Sequence, residues 1–148
     1  MNSDPHSLVA RGFGTYISEV ARALSVPQHA VGYEVCELAS AYLGLSARSP
    51  HFPDHDLMLV WDEDHGWSVE VETEPTEPSI TLAYLGRDLL AAPAAVKAFV
   101  GAVTTGSRAG QPRPSHCPDR AVLASRLAQY AAVATVGALS GEGGARAA

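Results

Sequence analysis

The beginning of the chain repeats apolar residues at helical spacing. They are four, three and four positions apart and so share one face of a helix: Phe13, Ile17, Val20 and Leu24. We therefore predict a helix over Ser7–Leu24, with Asp4 as its cap and Pro5 in its first turn. The helix ends before Pro27, because the residue preceding a proline avoids helical geometry.

The middle of the chain has the shorter period of β-strands. Leu57–Trp61 is a continuous apolar run, while Trp67–Thr73 and Ser79–Leu85 alternate apolar and polar residues. Two turn segments, Asp62–Gly66 and Glu74–Pro78, separate these three predicted strands. Short turns join antiparallel neighbours, so the pattern predicts an antiparallel meander.

The segment Gln28–Leu45 fits two structures. Glu34–Tyr42 has a composition compatible with a helix, whereas Ser40–Leu45 suits a strand with Leu43 and Leu45 on one side. We favour a loop followed by a strand near Ser40–Leu45, which would give the meander a fourth strand.

The last third of the chain contains two further helical patterns. Pro93–Val103 predicts a helix, residues 105–118 are a linker rich in Gly, Pro and Ser, and Asp119 can cap a last helix over 119–140. We expect residues 1–104 to form the core domain and residues 141–148 to be a disordered tail. The last helix packs on this core or on a partner subunit. The predicted fold is α+β: an antiparallel three- to four-stranded meander flanked by an N-terminal helix and two C-terminal helices.

Alternation within the strands also predicts the core. The strand residues expected to face the helices are Trp67, Val69, Val71, Ile80, Leu82 and Tyr84. Three helix residues are expected to pack against them, namely Phe13, Ile17 and Phe99.

Acidic residues are concentrated in the centre of the chain. The net charge is −6, and Ser49–Gly86 contains nine of the 16 acidic residues and no Lys or Arg. A surface of this sign repels phosphate and therefore disfavours a nucleic-acid partner. No apolar run reaches the roughly 18 residues of a membrane span, and the polar start does not resemble a signal peptide. We therefore expect no membrane partner. Since Cys36 and Cys117 form no close-spaced pair, we also expect a cytoplasmic protein.

The strand region also resembles a known family. Leu59–Gly86 resembles an uncharacterised family of small actinobacterial proteins, a domain of unknown function. The resemblance extends more weakly over Leu8–Val103. The residues that carry it are Val60-Trp61-Asp62-Glu63-Asp64-His65-Gly66-Trp67, Glu72-Thr73 and Leu82-Ala83-Tyr84-Leu85-Gly86. The resemblance implies the three-strand core and assigns no reaction or catalytic residue.

The tryptophan hairpin is the first candidate site. Trp61 and Trp67 bracket a five-residue turn, so they can lie close together across the strand pair. They are either core anchors or an aromatic platform for a ligand or partner. The candidate ligand- or partner-binding residues on this hairpin and its second strand are Trp61, Asp62, Asp64, His65, Trp67, Glu70 and Glu72.

Metal and catalytic chemistry have weaker support. The tightest group of possible metal ligands is His51, Asp54, His55 and Asp56. Pro50 and Pro53 oppose the helix that would align the two histidines, so we predict no metal site and no cofactor. The run Ser115-His116-Cys117 lies in the predicted linker, where adjacency does not supply the geometry of a catalytic triad.

The last helix carries no charged residue from Leu127 to Gly141, so much of its circumference must be buried. It can pack within its own chain or form a homodimer, whose expected interface is Leu123, Leu127, Tyr130 and Ala134. We predict a homodimer that serves as a non-enzymatic binding or regulatory module for a protein partner or small ligand. The alternative is a small hydrolase or isomerase with acid–base chemistry around His55 and His65.

Overall fold

A computed structural model of the chain describes residues 5–35, 39–86, 88–107, 110–114 and 119–131. The strands are β1 (Val31–Val35), β2 (Ala39–Leu45), β3 (Leu57–Asp62), β4 (Gly66–Val71) and β5 (Ile80–Tyr84). The helices are α1 (Pro5–Leu24), α2 (Pro93–Thr104), α3 (120–131) and a short 3-10 helix at Gln28–Ala30. The chain divides into two compact units, residues 1–18 with 118–148, and residues 19–117.

The described strands form an antiparallel sheet in the order β1-β2-β3-β4-β5. The predicted α+β class is therefore confirmed, but the described sheet has five strands instead of three or four. The fourth strand expected near Ser40–Leu45 is β2, and the helical alternative for Glu34–Tyr42 is wrong. The additional strand, β1, has a weak sequence signal because it contains Gly32, whose missing side chain leaves room for the ring of Tyr42.

The inner face of the sheet forms the core of the larger unit. Three cross-strand pairs join β3 to β4, and all six side chains are buried: Leu57 with Val71, Leu59 with Val69, and Trp61 with Trp67. Helix α2 packs near β4 and buries Val96, Phe99, Val100 and Val103. Burial of the predicted core residues Trp67, Val69, Val71 and Phe99 is thus confirmed. In the smaller unit, Phe13 and Ile17 of α1 are buried as well.

Strand β5 departs from the predicted alternation. Ser68 pairs with Tyr84, whereas Glu70 pairs with Thr81, so the register shifts by one residue between them. Such a bulge moves the following side chains to the opposite face of a strand. The prediction that Ile80, Leu82 and Tyr84 share a core face is therefore wrong. Ile80 is 43% exposed, and Tyr84 lies on the same face as Ser68.

The smaller unit contains a close contact between two helices. Asp119 caps α3 as predicted, since its Oδ1 accepts a hydrogen bond from the backbone N–H of Ala121 at 2.8 Å. A Cβ added to Gly12 of α1 would overlap the backbone carbonyl of Leu127 in α3. The rings of Tyr16 and Tyr130 meet edge to face, 5.0 Å apart. The predicted cap Asp4, the interface residue Ala134 and the tail 141–148 lie outside the described residues.

Candidate functional site

The two hairpin tryptophans are parts of the core. They are directly opposite each other across β3 and β4, with ring centroids 6.5 Å apart, and both are buried. The indole Nε1 of Trp61 donates a hydrogen bond to the backbone oxygen of Leu89 at 2.8 Å. Neither ring presents a face to solvent, so a binding role of the hairpin would fall to its polar turn.

The turn between β3 and β4 is organised by one carboxylate. Oδ1 of Asp62 accepts hydrogen bonds from the backbone N–H groups of Asp64 at 2.8 Å and His65 at 2.9 Å. The imidazole Nδ1 of His65 lies 2.9 Å from the same oxygen. Gly66 then adopts a φ of 73°, which side chains disfavour. Through these contacts Asp62 and His65 stabilise the turn of the hairpin.

The opposite side of the sheet carries a continuous row of side chains, here called the outer face row. Its members pair directly from β2 to β5: Tyr42 with Val60, Val60 with Ser68, and Ser68 with Tyr84. Tyr42 is 56% exposed, Val60 and Tyr84 are half-buried, and Ser68 is buried. Four adjacent strands spaced by about 4.8 Å make this row roughly 14 Å long.

An acidic residue borders the outer face row. Glu70 of β4 lies between Met58 and Thr81 in the neighbouring cross-strand row. Its carboxylate accepts hydrogen bonds from the hydroxyl of Ser68 at 3.1 Å and from that of Ser79 at 2.8 Å. Both donors are neutral, so they orient the carboxylate without cancelling its charge.

The remaining candidate carboxylate, Glu72, lies in a different place. It follows β4 and lines a hollow of about 350 Å³ together with Asp54, His55, Glu74 and other polar residues. Asp56 of the same hollow forms an ion pair with Arg48 at 3.0 Å, and both partners are well exposed. The seven residues predicted for the hairpin site are therefore divided among the core, the turn, the outer face and this hollow.

The histidines do not converge. His55 precedes β3, while His65 lies in the turn after it, which separates them by about 20 Å along the strand. His51 lines a separate hollow from that of His55. Among the described residues, no three His, Cys, Asp or Glu side chains are grouped to hold a metal ion. The geometry therefore gives no support to an acid–base site that combines His55 with His65.

Sequence reasoning did not identify the outer face row. Tyr42 lay in the segment with two possible structures, and the bulge in β5 concealed the side on which Tyr84 falls. Val60 belonged to a continuous apolar run, which gives no indication of which face is open. Alternation in β4 did place Ser68 and Glu70 on the polar side.

Comparison with known proteins gives one match. A model described as a family of unknown function, DUF6292, matches residues 16–102, which is more than half of the chain. No curated protein and no solved structure matches the chain. In the part of the chain that the structure describes, no helix is long and apolar enough to cross a membrane.

Proposed function

The chain belongs to DUF6292, a family of unknown function, and we propose that it is a non-enzymatic module that binds a protein segment through the outer face of its sheet. The observation that supports the proposal most directly is the outer face row. It combines a well-exposed tyrosine, Tyr42, with the half-buried side chains of Val60 and Tyr84 on a rigid sheet. Aromatic and aliphatic side chains in this arrangement are typical of protein-binding surfaces.

The partner would carry basic and apolar side chains together. Glu70 places a carboxylate beside the row, and no Lys or Arg of the described residues forms an ion pair with it. Complementary charge accelerates association and orients a partner, while apolar contact contributes most of the binding free energy. We therefore expect a segment in which Lys or Arg alternates with aliphatic or aromatic residues.

A peptide-display selection tests this proposal. Random peptides are selected on the wild-type protein, and the affinities of the enriched peptides are measured by titration. We expect peptides rich in Lys or Arg and apolar residues, with binding weakened at least tenfold by Val60→Asp. Glu70→Gln should weaken binding and reduce its dependence on salt, because it removes one charge.

The control for Val60→Asp introduces the same charge elsewhere. Val122 is exposed on α3, so Val122→Asp should leave both peptide affinity and melting temperature unchanged. The circular dichroism spectrum of each variant confirms folding. Selected peptides that bind Val60→Asp and wild type equally would contradict the proposal, as would a selection without enrichment.

Three finer expectations belong to the same proposal. We propose that the protein acts in the cytoplasm, that it forms a homodimer through α3, and that its family is actinobacterial. The first follows from the sparse cysteines and the second from the uncharged run after Leu127. The third rests on the resemblance of Leu59–Gly86. Cell fractionation checks the first, and the dimer is considered below with its own measurement.

A further inference from the structure

The carboxylate beside the outer face row has both of its oxygens held in place. Oε2 of Glu70 accepts a hydrogen bond from the hydroxyl of Ser68 at 3.1 Å, and Oε1 accepts one from the hydroxyl of Ser79 at 2.8 Å. One hydroxyl on each oxygen restricts rotation of the carboxylate about its Cγ–Cδ bond. The plane of the carboxylate is therefore fixed before a partner binds.

The two hydroxyl groups reach Glu70 from opposite directions along β4. Ser68 lies two residues before Glu70 on the same strand. Ser79 precedes Ile80, which pairs with Val71, so Ser79 lies beyond Glu70 on the other side. A carboxylate has about four acceptor positions, two on each oxygen. Donors that approach from both ends take the outer positions, which leaves the two inner positions, facing the same way, for a partner.

Glu70 also needs a cation when the outer face row is covered. Within the described residues it forms no ion pair, since both of its hydrogen bonds come from neutral hydroxyls. Glu70 is half-buried, so an apolar segment bound to the row would remove much of the remaining water from its carboxylate. The loss of solvation around a charge is costly unless an opposite charge replaces the water. The bound segment must therefore bring a cation to this position.

The side chains around Glu70 suit a guanidinium group better than an ammonium group. Met58 lies directly opposite on β3 and is half-buried, so the methylene groups of a long side chain can cover it. Tyr84 pairs with Ser68 and is therefore a diagonal neighbour of Glu70, within reach of a long side chain. Guanidinium groups stack on aromatic rings and are more weakly hydrated than ammonium groups. Arginine therefore loses less solvation than lysine on entering these surroundings.

We propose that the cation of the bound segment is an arginine whose guanidinium group binds both oxygens of Glu70. This inference rests on the proposed function, because it names the partner residue at the border of the outer face row. A planar guanidinium group donates two parallel hydrogen bonds to a carboxylate, whereas the ammonium group of lysine acts as a point charge. Ser68 and Ser79 are positioning residues, which turn a general preference for positive charge into a preference for arginine.

Two pools of acetylated heptapeptides test the proposal without a known partner. In both pools, random aliphatic and aromatic residues alternate with a basic residue, which is arginine in one pool and lysine in the other. Fluorescence anisotropy measures their binding to the full wild-type chain, and we expect the arginine pool to bind at least tenfold more tightly. Lysine binding as tight as arginine binding would overturn the arginine assignment and leave the proposed function standing. Absence of binding by both pools would overturn both proposals.

Variants separate the fixed carboxylate from its charge. Glu70→Gln should remove the difference between the pools, because it removes the charge that both cations seek. Ser79→Ala should weaken binding of the arginine pool several-fold and leave the lysine pool unchanged, whereas Ser79→Thr keeps a hydroxyl and should keep the preference. Ser46→Ala, at an exposed serine outside the row, is the matched control and should bind like the wild type.

The circular dichroism spectrum of each variant verifies that it is folded. A full preference for arginine in folded Glu70→Gln would show that arginine binds elsewhere and would overturn the proposal. A full preference in folded Ser79→Ala would overturn the positioning role of that hydroxyl. A loss of preference in Ser46→Ala would show that the effect of Ser79→Ala is not specific to the carboxylate.

Discussion

At the scale of single residues, burial separates side chains that the sequence presents as equivalent. Trp67 and Ile80 both belong to alternating strands and were both expected in the core. Trp67 packs against Trp61 across the hairpin, whereas Ile80 precedes the bulge of β5 near the edge of the sheet. Edge position and register are long-range properties, so alternation alone could not distinguish the two.

This difference predicts that substitution by alanine destabilises the protein more at Trp67 than at Ile80. Trp67→Ala should lower the free energy of unfolding by about 3–5 kcal/mol, because it removes a large buried ring and leaves a cavity. Ile80→Ala should lower it by less than about 1 kcal/mol, because the side chain is already largely in water. Urea denaturation followed by tryptophan fluorescence measures both losses, since each variant keeps at least Trp61. A loss below about 1 kcal/mol for Trp67→Ala would show that the hairpin is a surface platform after all.

At the scale of elements, two of the helical glycines, Gly12 and Gly101, have opposite surroundings. The backbone of α3 lies against Gly12, whereas a Cβ on Gly101 of α2 would meet nothing within 4 Å. Alanine in a helix is more stable than glycine by about 0.5–1 kcal/mol, so Gly101→Ala should stabilise the protein by about that amount. Gly12→Ala should instead destabilise it by about 1–3 kcal/mol, since overlap with Leu127 forces the helices apart.

Thermal denaturation of the two variants checks the sign of each effect. The pair forms its own control, because the chemical change is identical and only the neighbouring helix differs. An increase in melting temperature for Gly12→Ala would contradict the close approach of α1 and α3.

The boundaries of several elements were accessible from sequence because local chemistry determines them. The end of α1 before Pro27, the start of α2 at Pro93 and the Asp119 cap all depend on neighbouring residues only. Strand β1 and the β5 bulge depend on pairing partners, which local patterns do not specify. The same limit applies to sites: Tyr42 and Tyr84, at the two ends of the outer face row, are 42 positions apart in sequence.

At the scale of the whole molecule, the packing of α3 within its own chain competes with its expected role as a homodimer interface. Two of the four proposed interface residues, Leu123 and Leu127, are buried, and Leu127 lies against Gly12 of the same chain. Contact within one chain already accounts for their apolar character. The homodimer stays a prediction, checked by the molar mass from light scattering at tens of micromolar protein.

A charge placed at Leu127 distinguishes packing of α3 within its own chain from packing of α3 between subunits. Leu127→Asp should destabilise the protein by more than about 3 kcal/mol, because it places a carboxylate in an apolar contact within the chain. Circular dichroism and light scattering on this variant, with Val122→Asp as the exposed control, provide the measurement. A folded, stable monomer from Leu127→Asp would mean that this side chain is needed only between subunits.

Metal removal should leave the protein unchanged. The histidines nearest in sequence, His51 and His55, line different hollows, so the group predicted as the tightest set of possible ligands is divided. We expect the melting temperature to stay constant after prolonged dialysis against EDTA, since a metal bound to the native state would add stability by mass action. A large decrease, restored by zinc or calcium, would disprove this expectation.

The hydrogen bonds between Tyr84 and Gln111 have a consequence for the behaviour of the protein in concentrated solution. Edge strands offer unpaired backbone groups to other chains and so can start fibril growth. Here the segment from Gly110, held in a left-handed turn with a φ of 68°, covers the outer end of β5 with a two-bond bridge. A side chain at Gly110 would overlap the carbonyl oxygen of Tyr84 and displace that cover. Protection of this edge of the sheet therefore depends on a residue that contributes no side chain.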